Sequence, residues 1–296
     1  MSGAGREAHV SHAAAAAQLA CLLEASAPKP GNVSPGRHFA DARYEDFLAS
    51  AAALGGPFAS ATLRPLGATA RLAVEATAAW TRSNTNLGLV LLLTPLVYAA
   101  QGCAPPVDRA LLRTVLRGVL DATTVDDARD VYAAIRRAAP GGLGRVDSED
   151  VAGEPTLPLV EVMRLAGSRD AIAREYVTGF EITFEAGAPA LDRARGDGLA
   201  WDDAVVETFL TLLAGRPDTH VLRRSGPDAA ARVSRRAAEA LQRGGVRTAA
   251  GRRTIAQMDR ALRDPDNSGN PGATADLTAA AIFVVLVSGG WHRGLG

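Results

Sequence analysis

Apolar residues recur along this chain at three- and four-residue spacing, with charges on the faces between them. That is the pattern of helices that bury one side. Val125, Ala128, Val131, Tyr132 and Ile135 show it clearly, and Thr124 followed by Asp127 resembles a capping-box start, with Gly141-Gly142 as a stop. The same reading predicts helices near 11–25, 43–54, 60–81, 86–101, 107–120, 124–138, 156–166, 169–185, 201–214, 227–243, 252–263 and 272–288. No alternating strand pattern competes with them. The expected fold is all-α, of about twelve helices. Two segments, Leu87 to Ala100 and Leu277 to Val287, are apolar almost throughout. Both fall short of the roughly 20 residues that span a bilayer, so they are expected as buried central helices.

Gly- and Pro-rich loops fall at 26–38, 139–155, 187–200 and 264–271, and none has the length or low complexity of a linker. One helical domain over residues 1–296 is therefore expected, with 1–10 frayed. No solenoid repeat stands out. The hydrophobic share of 47% and the charged share of 22% are those of an ordinary globular protein able to bury a site. Acidic and basic residues balance at 32 each, which lacks the electrostatic footprint of a nucleic-acid binder and favours a small-molecule partner. The start of the chain carries Glu7, His9 and His12 before an alanine run, without the features of a signal peptide. Cys21 and Cys103 stand apart in alanine- and leucine-rich surroundings. They read as buried free thiols in a cytoplasmic protein without a membrane anchor.

Composition then points to a site. Of the 32 basic residues one is lysine, Lys29, and the five asparagines are Asn32, Asn84, Asn86, Asn267 and Asn270. All five fall in three short clusters, the first of which contains that lysine. Asparagine favours turns and caps anyway, but capping alone does not explain the company of Lys29. The first cluster runs from Glu24 to Val33 and leaves a helix through Pro28-Lys29-Pro30-Gly31-Asn32, a stiffened loop holding a cation and an amide in fixed relation. That arrangement suits a phosphate, although it is not a Walker loop. His38 and Asp41 follow shortly after. Asp41 is either a helix cap or a Mg²⁺ ligand, and His38 is either structural or a contact to phosphate or base.

The second cluster, Ser83-Asn84-Thr85-Asn86-Leu87-Gly88, opens one apolar helix. The third, Asn267 to Asp276, opens the other, with Asn270 as cap and Pro271 in the first turn. If these ends converge with Lys29, they make a pocket of amides, one ammonium and the carboxylates Asp41 and Asp276, suited to a metal-triphosphate and to accepting a proton from a hydroxyl. Gly141-Gly142-Leu143-Gly144 lacks the context of a dinucleotide fingerprint, and no Gly-x-Ser-x-Gly elbow occurs. Arg223-Arg224, after Asp218-Thr219-His220, is expected to be surface pairing in so arginine-rich a chain.

Taken in order, Glu24, Lys29-Pro30-Gly31, His38, Asp41, Ser50, Asn84-Thr85 with Gly88, Asn270-Pro271-Gly272 and Ala275-Asp276-Leu277 resemble the motifs of the triphosphoribosyl-dephospho-CoA synthases, over residues 19–287. The resemblance implies a helical enzyme in which the 2′-hydroxyl of 3′-dephospho-CoA attacks the ribose C1 of ATP and adenine leaves. It implies ATP as substrate with Mg²⁺, an acceptor such as 3′-dephospho-CoA, and no nucleic acid or membrane partner. A homodimer stays open. On this basis Lys29, Asp41 and Asp276 are expected to be catalytic. Asn32, His38, Asn84, Thr85, Asn86, Gly88, Asn270 and Gly272 are expected to bind substrate, and Glu24, Asp41 and Asp276 to hold the metal. Where the family has Asn-Thr-His-Lys-Gly, this chain has Asn84-Thr85-Asn86-Leu87-Gly88. That departure resembles a divergent branch whose acceptor is a pterin-type (methanopterin) cofactor intermediate. A metal-dependent helical hydrolase and a non-catalytic nucleotide-binding protein remain as readings of another class.

Overall fold

A computed structural model describes residues 3–141 and 144–292, with side chains from residue 12 onward. Its helices are α1 (Gly3–Ser26), α2 (Tyr44–Ala53), α3 (Gly55–Ala59), α4 (Leu66–Ala78), α5 (Leu87–Gln101), α6 (Arg109–Asp121) and α7 (Val125–Ala138). They continue with α8 (Leu159–Ala166), α9 (Ala171–Thr178), α10 (Ala188–Gly196), α11 (Trp201–Gly215), α12 (Thr219–Gln242), α13 (Ala249–Leu262) and α14 (Gly272–Val287). The fold is all-α, with no strand among the described residues.

The two apolar segments behave as their composition requires. In α14 every residue from Leu277 to Val287 is buried, and α5 is buried at all but two of its fifteen positions. α1 packs along both, so the two apolar helices form the centre around which the others are laid. Pro95 inside α5 has no N–H to give the carbonyl of Leu91 one turn back. The Tyr176 hydroxyl on α9 donates to that carbonyl at 2.6 Å, so the helix continues through the proline without an orphaned acceptor. No helix among the described residues is long and apolar enough to cross a membrane.

Several boundaries differ from those expected. α1 begins at Gly3, so residues 3–10 are helical, and Met1 and Ser2 lie outside the described residues. The loop expected at 187–200 holds α10, where Pro189 sits in the first turn and costs no hydrogen bond. The helix expected over 169–185 stops at Thr178, because Gly179 and Phe180 both take positive φ, and a π-helical turn follows at Ile182–Gly187. α12 starts at Thr219, eight residues earlier than expected, and is broken by Gly226-Pro227. α7 begins with the capping box, Asp127 N–H donating to Thr124 Oγ1 at 3.1 Å, and ends at Ala139 in the left-handed region, ahead of Gly141. Gly142 and Leu143 lie outside the described residues. Cys21 and Cys103 are buried free thiols.

Candidate functional site

The three asparagine clusters come from distant parts of the chain and meet. α1 carries Glu24 in its last turn, and the chain then turns through Gly31 at φ +80. This turn is pinned to α13. Gly31 N–H donates to Asp259 Oδ1 at 2.9 Å, Arg37 pairs with Asp259 Oδ2 at 3.1 Å, and Arg263 donates to the Asn32 carbonyl at 2.6 Å. Gly31 is required twice over, since its φ is left-handed and a β-carbon there would sit 3.0 Å from Leu262.

The start of α5 is held by its own polar residues. Leu87 N–H donates to Asn84 Oδ1 at 3.0 Å, Asn86 Nδ2 donates to Thr77 Oγ1 at 3.0 Å, and Thr85 Oγ1 lies 2.5 Å from Ser50 Oγ. The start of α14 is tied to the start of α12 by one carboxylate. Asp218 accepts from the backbone N–H groups of His220 and Val221, at 2.8 and 2.9 Å, and from both N–H and hydroxyl of Thr274 at 2.7 Å. One buried aspartate thus caps two helices. Asn32 Nδ2 then donates to Asn270 Oδ1 at 2.5 Å, joining the first cluster to the third. Asn32 Oδ1 is buried without a partner.

Between these elements lies a cavity of about 1100 Å³. Glu24, Asn32, Asp41, Asn84, Thr85, Asn86, Gly88, Asn270, Gly272 and Asp276 all line it. Two of the residues expected in the site do not. His38 is exposed, and its Nδ1 accepts from Tyr44 N–H at 3.2 Å. Its ring thus meets the first N–H of α2, while Asp46 accepts from the N–H of the cap residue Arg43; Asp41, read as either a helix cap or a Mg²⁺ ligand, caps nothing and lines the cavity from an exposed position. Lys29 is fully buried, its ammonium 2.9 Å from Glu24 Oε1 and also donating to the carbonyls of Glu24 and Ala27. An ammonium has three protons, and all three are engaged. Lys29 therefore faces Glu24 and not the cavity, which corrects the picture of a lysine reaching a phosphate. The carboxylates Glu24, Asp41 and Asp276 likewise do not gather as one metal nest, and no group of three His, Cys, Asp or Glu with that geometry occurs among the described residues.

The cavity has guanidinium groups that the sequence reading set aside. Arg82, Arg169, Arg223 and Arg224 line it, the last two at the start of α12. Arg223 lies 3.4 Å from Asp170, and Arg224 donates to the Asp266 carbonyl at 2.6 Å. His220, one turn before Arg223 and Arg224, also lines it. The readable signal was Asp218 at a helix start with His and Arg side chains in the next turn; what could not be read is that this start abuts α14.

Burial sets the charge states. Asp276 is held well above the usual carboxylate range by burial first, then by Glu24, Asp218 and Asp170. Burial also raises Asp218, against its four hydrogen bonds. His220 is pushed down to about 4 by burial and by Arg223 and Arg224, with a hydrogen bond to the Asn270 backbone opposing them, so it is neutral at pH 7. Cys21 is driven up by burial and by Glu24 and Asp276.

The ordered clusters and the cavity they share agree with a family model for ATP:dephospho-CoA triphosphoribosyl transferase, which matches residues 10–294. The chain belongs to that family. Among proteins similar to this transferase-family chain is one from Pseudomonas putida named "Probable 2-(5''-triphosphoribosyl)-3'-dephosphocoenzyme-A synthase", 39% identical over 38% of this chain and 40% of that one. Another, from Stutzerimonas stutzeri and named in the same words, is 30% identical over 50% of each chain. The matched segments span only about two fifths to one half of the curated relatives' length. The crystal structure of an Archaeoglobus fulgidus protein, assigned provisionally as a triphosphoribosyl-dephospho-CoA synthase, superimposes with a TM-score of 0.63 at 32% identity, over 82% of this chain and 99% of that one.

Proposed function

We propose that this protein transfers the triphosphoribosyl unit of ATP to the 2′-hydroxyl of 3′-dephospho-CoA and releases adenine. The observation that carries this reading is the pairing of two unlike carboxylates, Glu24 and Asp276, on the polar floor of one large cavity. Glu24 is charge-paired to Lys29, whereas Asp276 holds a proton beyond the usual carboxylate range. Carboxylates whose surroundings separate them in this way take opposite acid and base roles.

In the proposed step the acceptor oxygen bonds to the ribose C1 as the bond from C1 to adenine N9 breaks. The bonding pair leaves with adenine. Asp276 gives its proton to the departing base, and Glu24 takes the proton of the attacking hydroxyl, so one proton passes from acceptor to adenine overall. The triphosphate crosses intact and needs only to be held. The guanidiniums of Arg223, Arg224, Arg169 and Arg82 are suited to that task, since arginine matches phosphate oxygens in forked geometry. Lys29 serves as the positioning partner of Glu24.

Mg²⁺ enters this reading as a companion of ATP. With no metal-holding group of three His, Cys, Asp or Glu among the described residues, the ion in this reading draws its ligands chiefly from the phosphates and water. Asn86 and Leu87, the two positions at which the chain departs from the motif it resembles, are spent on structure and lining, Asn86 on Thr77 and Leu87 on the cavity wall. The Asn86-Leu87 departure is the feature that points toward a pterin-type acceptor, whereas dephospho-CoA is the acceptor in the family's description. The testing experiment supplies ATP and Mg²⁺ with and without 3′-dephospho-CoA and measures free adenine. Release that requires the acceptor is expected. Equal release without it would show hydrolysis, and none under either condition would remove the reading.

A further inference from the structure

The cavity has two halves of opposite chemistry, and Gly88 marks their junction. A β-carbon at Gly88 would sit 1.9 Å from Asp276 Oδ2 and 2.7 Å from Ile172 Cδ1. A carboxylate and an aliphatic side chain therefore rest side by side on the same bare stretch of α5. On the Asp276 side stand the carboxylates and amides described above. On the Ile172 side α7 and α8 contribute Val131, Ile135, Val162, Met163 and Ala166, and α7 adds the ring of Tyr132.

Transfer of a ribosyl triphosphate does not use this second half. Phosphates entering among these aliphatic side chains would exchange their hydration for few partners, a cost that disfavours a charged group there far more than a neutral chain. The cavity of about 1100 Å³ also exceeds the ~300–1,000 Å³ usual for a single small ligand. What suits an apolar arm continuous with a polar floor is a thin uncharged chain of methylenes and methyl groups joined by amides, attached to a nucleotide.

We propose that the arm between α7, α8 and α9 binds the pantetheine chain of the acceptor, an inference that rests on the transferase reading above. Seated there, the chain leads its attached adenosine end onto the polar floor, where the ribose hydroxyl is taken up by Glu24. The arm thereby selects among acceptors that share a ribose but differ in what hangs from it.

The test is a binding titration, independent of turnover. 3′-Dephospho-CoA and adenosine 5′-diphosphate share the nucleotide and differ in the pantetheine chain that esterifies the terminal phosphate, so the change in their affinity ratio from wild type to arm variant reports the arm. Calorimetry on the wild-type chain is expected to show 3′-dephospho-CoA binding about tenfold or more tightly than adenosine 5′-diphosphate. Ala166→Trp and Val162→Trp, each adding bulk toward the arm from a partly buried position, are expected to abolish that advantage while leaving adenosine 5′-diphosphate affinity within about twofold. The unchanged nucleotide affinity certifies folding, and the second variant serves if the first fails to fold. Equal wild-type affinities, or an advantage that survives in a folded variant, would overturn the inference. Absence of adenine release with a preserved affinity ratio would instead remove the transferase reading and leave the arm.

Discussion

The carboxylate of Asp276 occupies the space over Gly88, with Oδ2 only 1.9 Å from where a β-carbon on that residue would lie. Gly88 is therefore a spatial requirement of Asp276 and needs no special backbone angle of its own. Helix preference runs the other way, since alanine is favoured over glycine in a helix by about 1 kcal/mol.

Gly88→Ala separates the two effects. The clashing atoms are the ends of the Asp276 and Ile172 side chains, which can rotate away, so the fold is expected to survive with its thermal midpoint little changed. Asp276 is displaced from its position, and kcat for adenine release is expected to fall about tenfold or more. An unchanged kcat would show that Asp276 takes no part in the chemistry.

Lys29 and Glu24 form a buried ion pair, and breaking one removes the compensation of the other. Lys29→Met is expected to cost on the order of 3–5 kcal/mol in denaturant unfolding. Lys29→Met combined with Glu24→Gln is expected to recover part of that loss, although neither variant regains activity. A lysine that held the triphosphate would behave differently: KM for ATP would rise while stability stayed near wild type.

His220 gives the site a pH signature. Its folded value of about 4 lies below the ordinary 6.5, so between those limits the unfolded chain binds the additional proton. Stability therefore rises with pH through that window and levels off above it. A shift of this size corresponds to about 3 kcal/mol, discounted somewhat because the ring keeps partial exposure. Asp276 and Asp218, both raised, act in the opposite sense in their own range. The difference between wild type and His220→Asn isolates the histidine. Unfolding free energies from pH 4 to 7 are expected to rise less steeply in the variant, and parallel curves would contradict the assignment.

Much of this was open to the sequence. The apolar runs in α5 and α14 could only be central, because a helix that is apolar all round has no face for water. The asparagine clusters fell at the starts of those helices, because Asn, Gly and Pro act locally there, but the cap expected at Asn270 did not form: Pro271 stands at the cap position of α14, outside its first turn, and Asn270 Oδ1 accepts from Asn32 instead. What escaped was non-local. A lone lysine looks like a ligand until the carboxylate one turn before it is seen to engage it. The Asp259 carboxylate that pins Gly31 lies 228 positions away, a separation no periodicity reveals. Arg223 and Arg224 were lost among 31 arginines, since frequency says nothing about which of them face a cavity.

Those two arginines carry the last prediction. With Lys29 engaged, the triphosphate must find its cations elsewhere, and the start of α12 presents two to the cavity. Arg224 reaches a backbone carbonyl and leaves no carboxylate behind when removed, whereas Arg223 lies beside Asp170. A charge-assisted hydrogen bond contributes about 1.5–3 kcal/mol, so Arg224→Ala is expected to raise KM for ATP about tenfold to a hundredfold. The KM for 3′-dephospho-CoA is expected to change much less. Arg223→Ala adds an uncompensated Asp170 close to Asp276, which favours the protonated form of Asp276 further, so its effect extends to the pH profile of kcat. Steady-state measurements at varied ATP and at two ionic strengths decide the matter. A phosphate contact weakens with salt in the wild type and loses part of that dependence in Arg224→Ala. A KM for ATP that is unmoved in both variants would send the search for the triphosphate to Arg82 and Arg169, which also line the cavity.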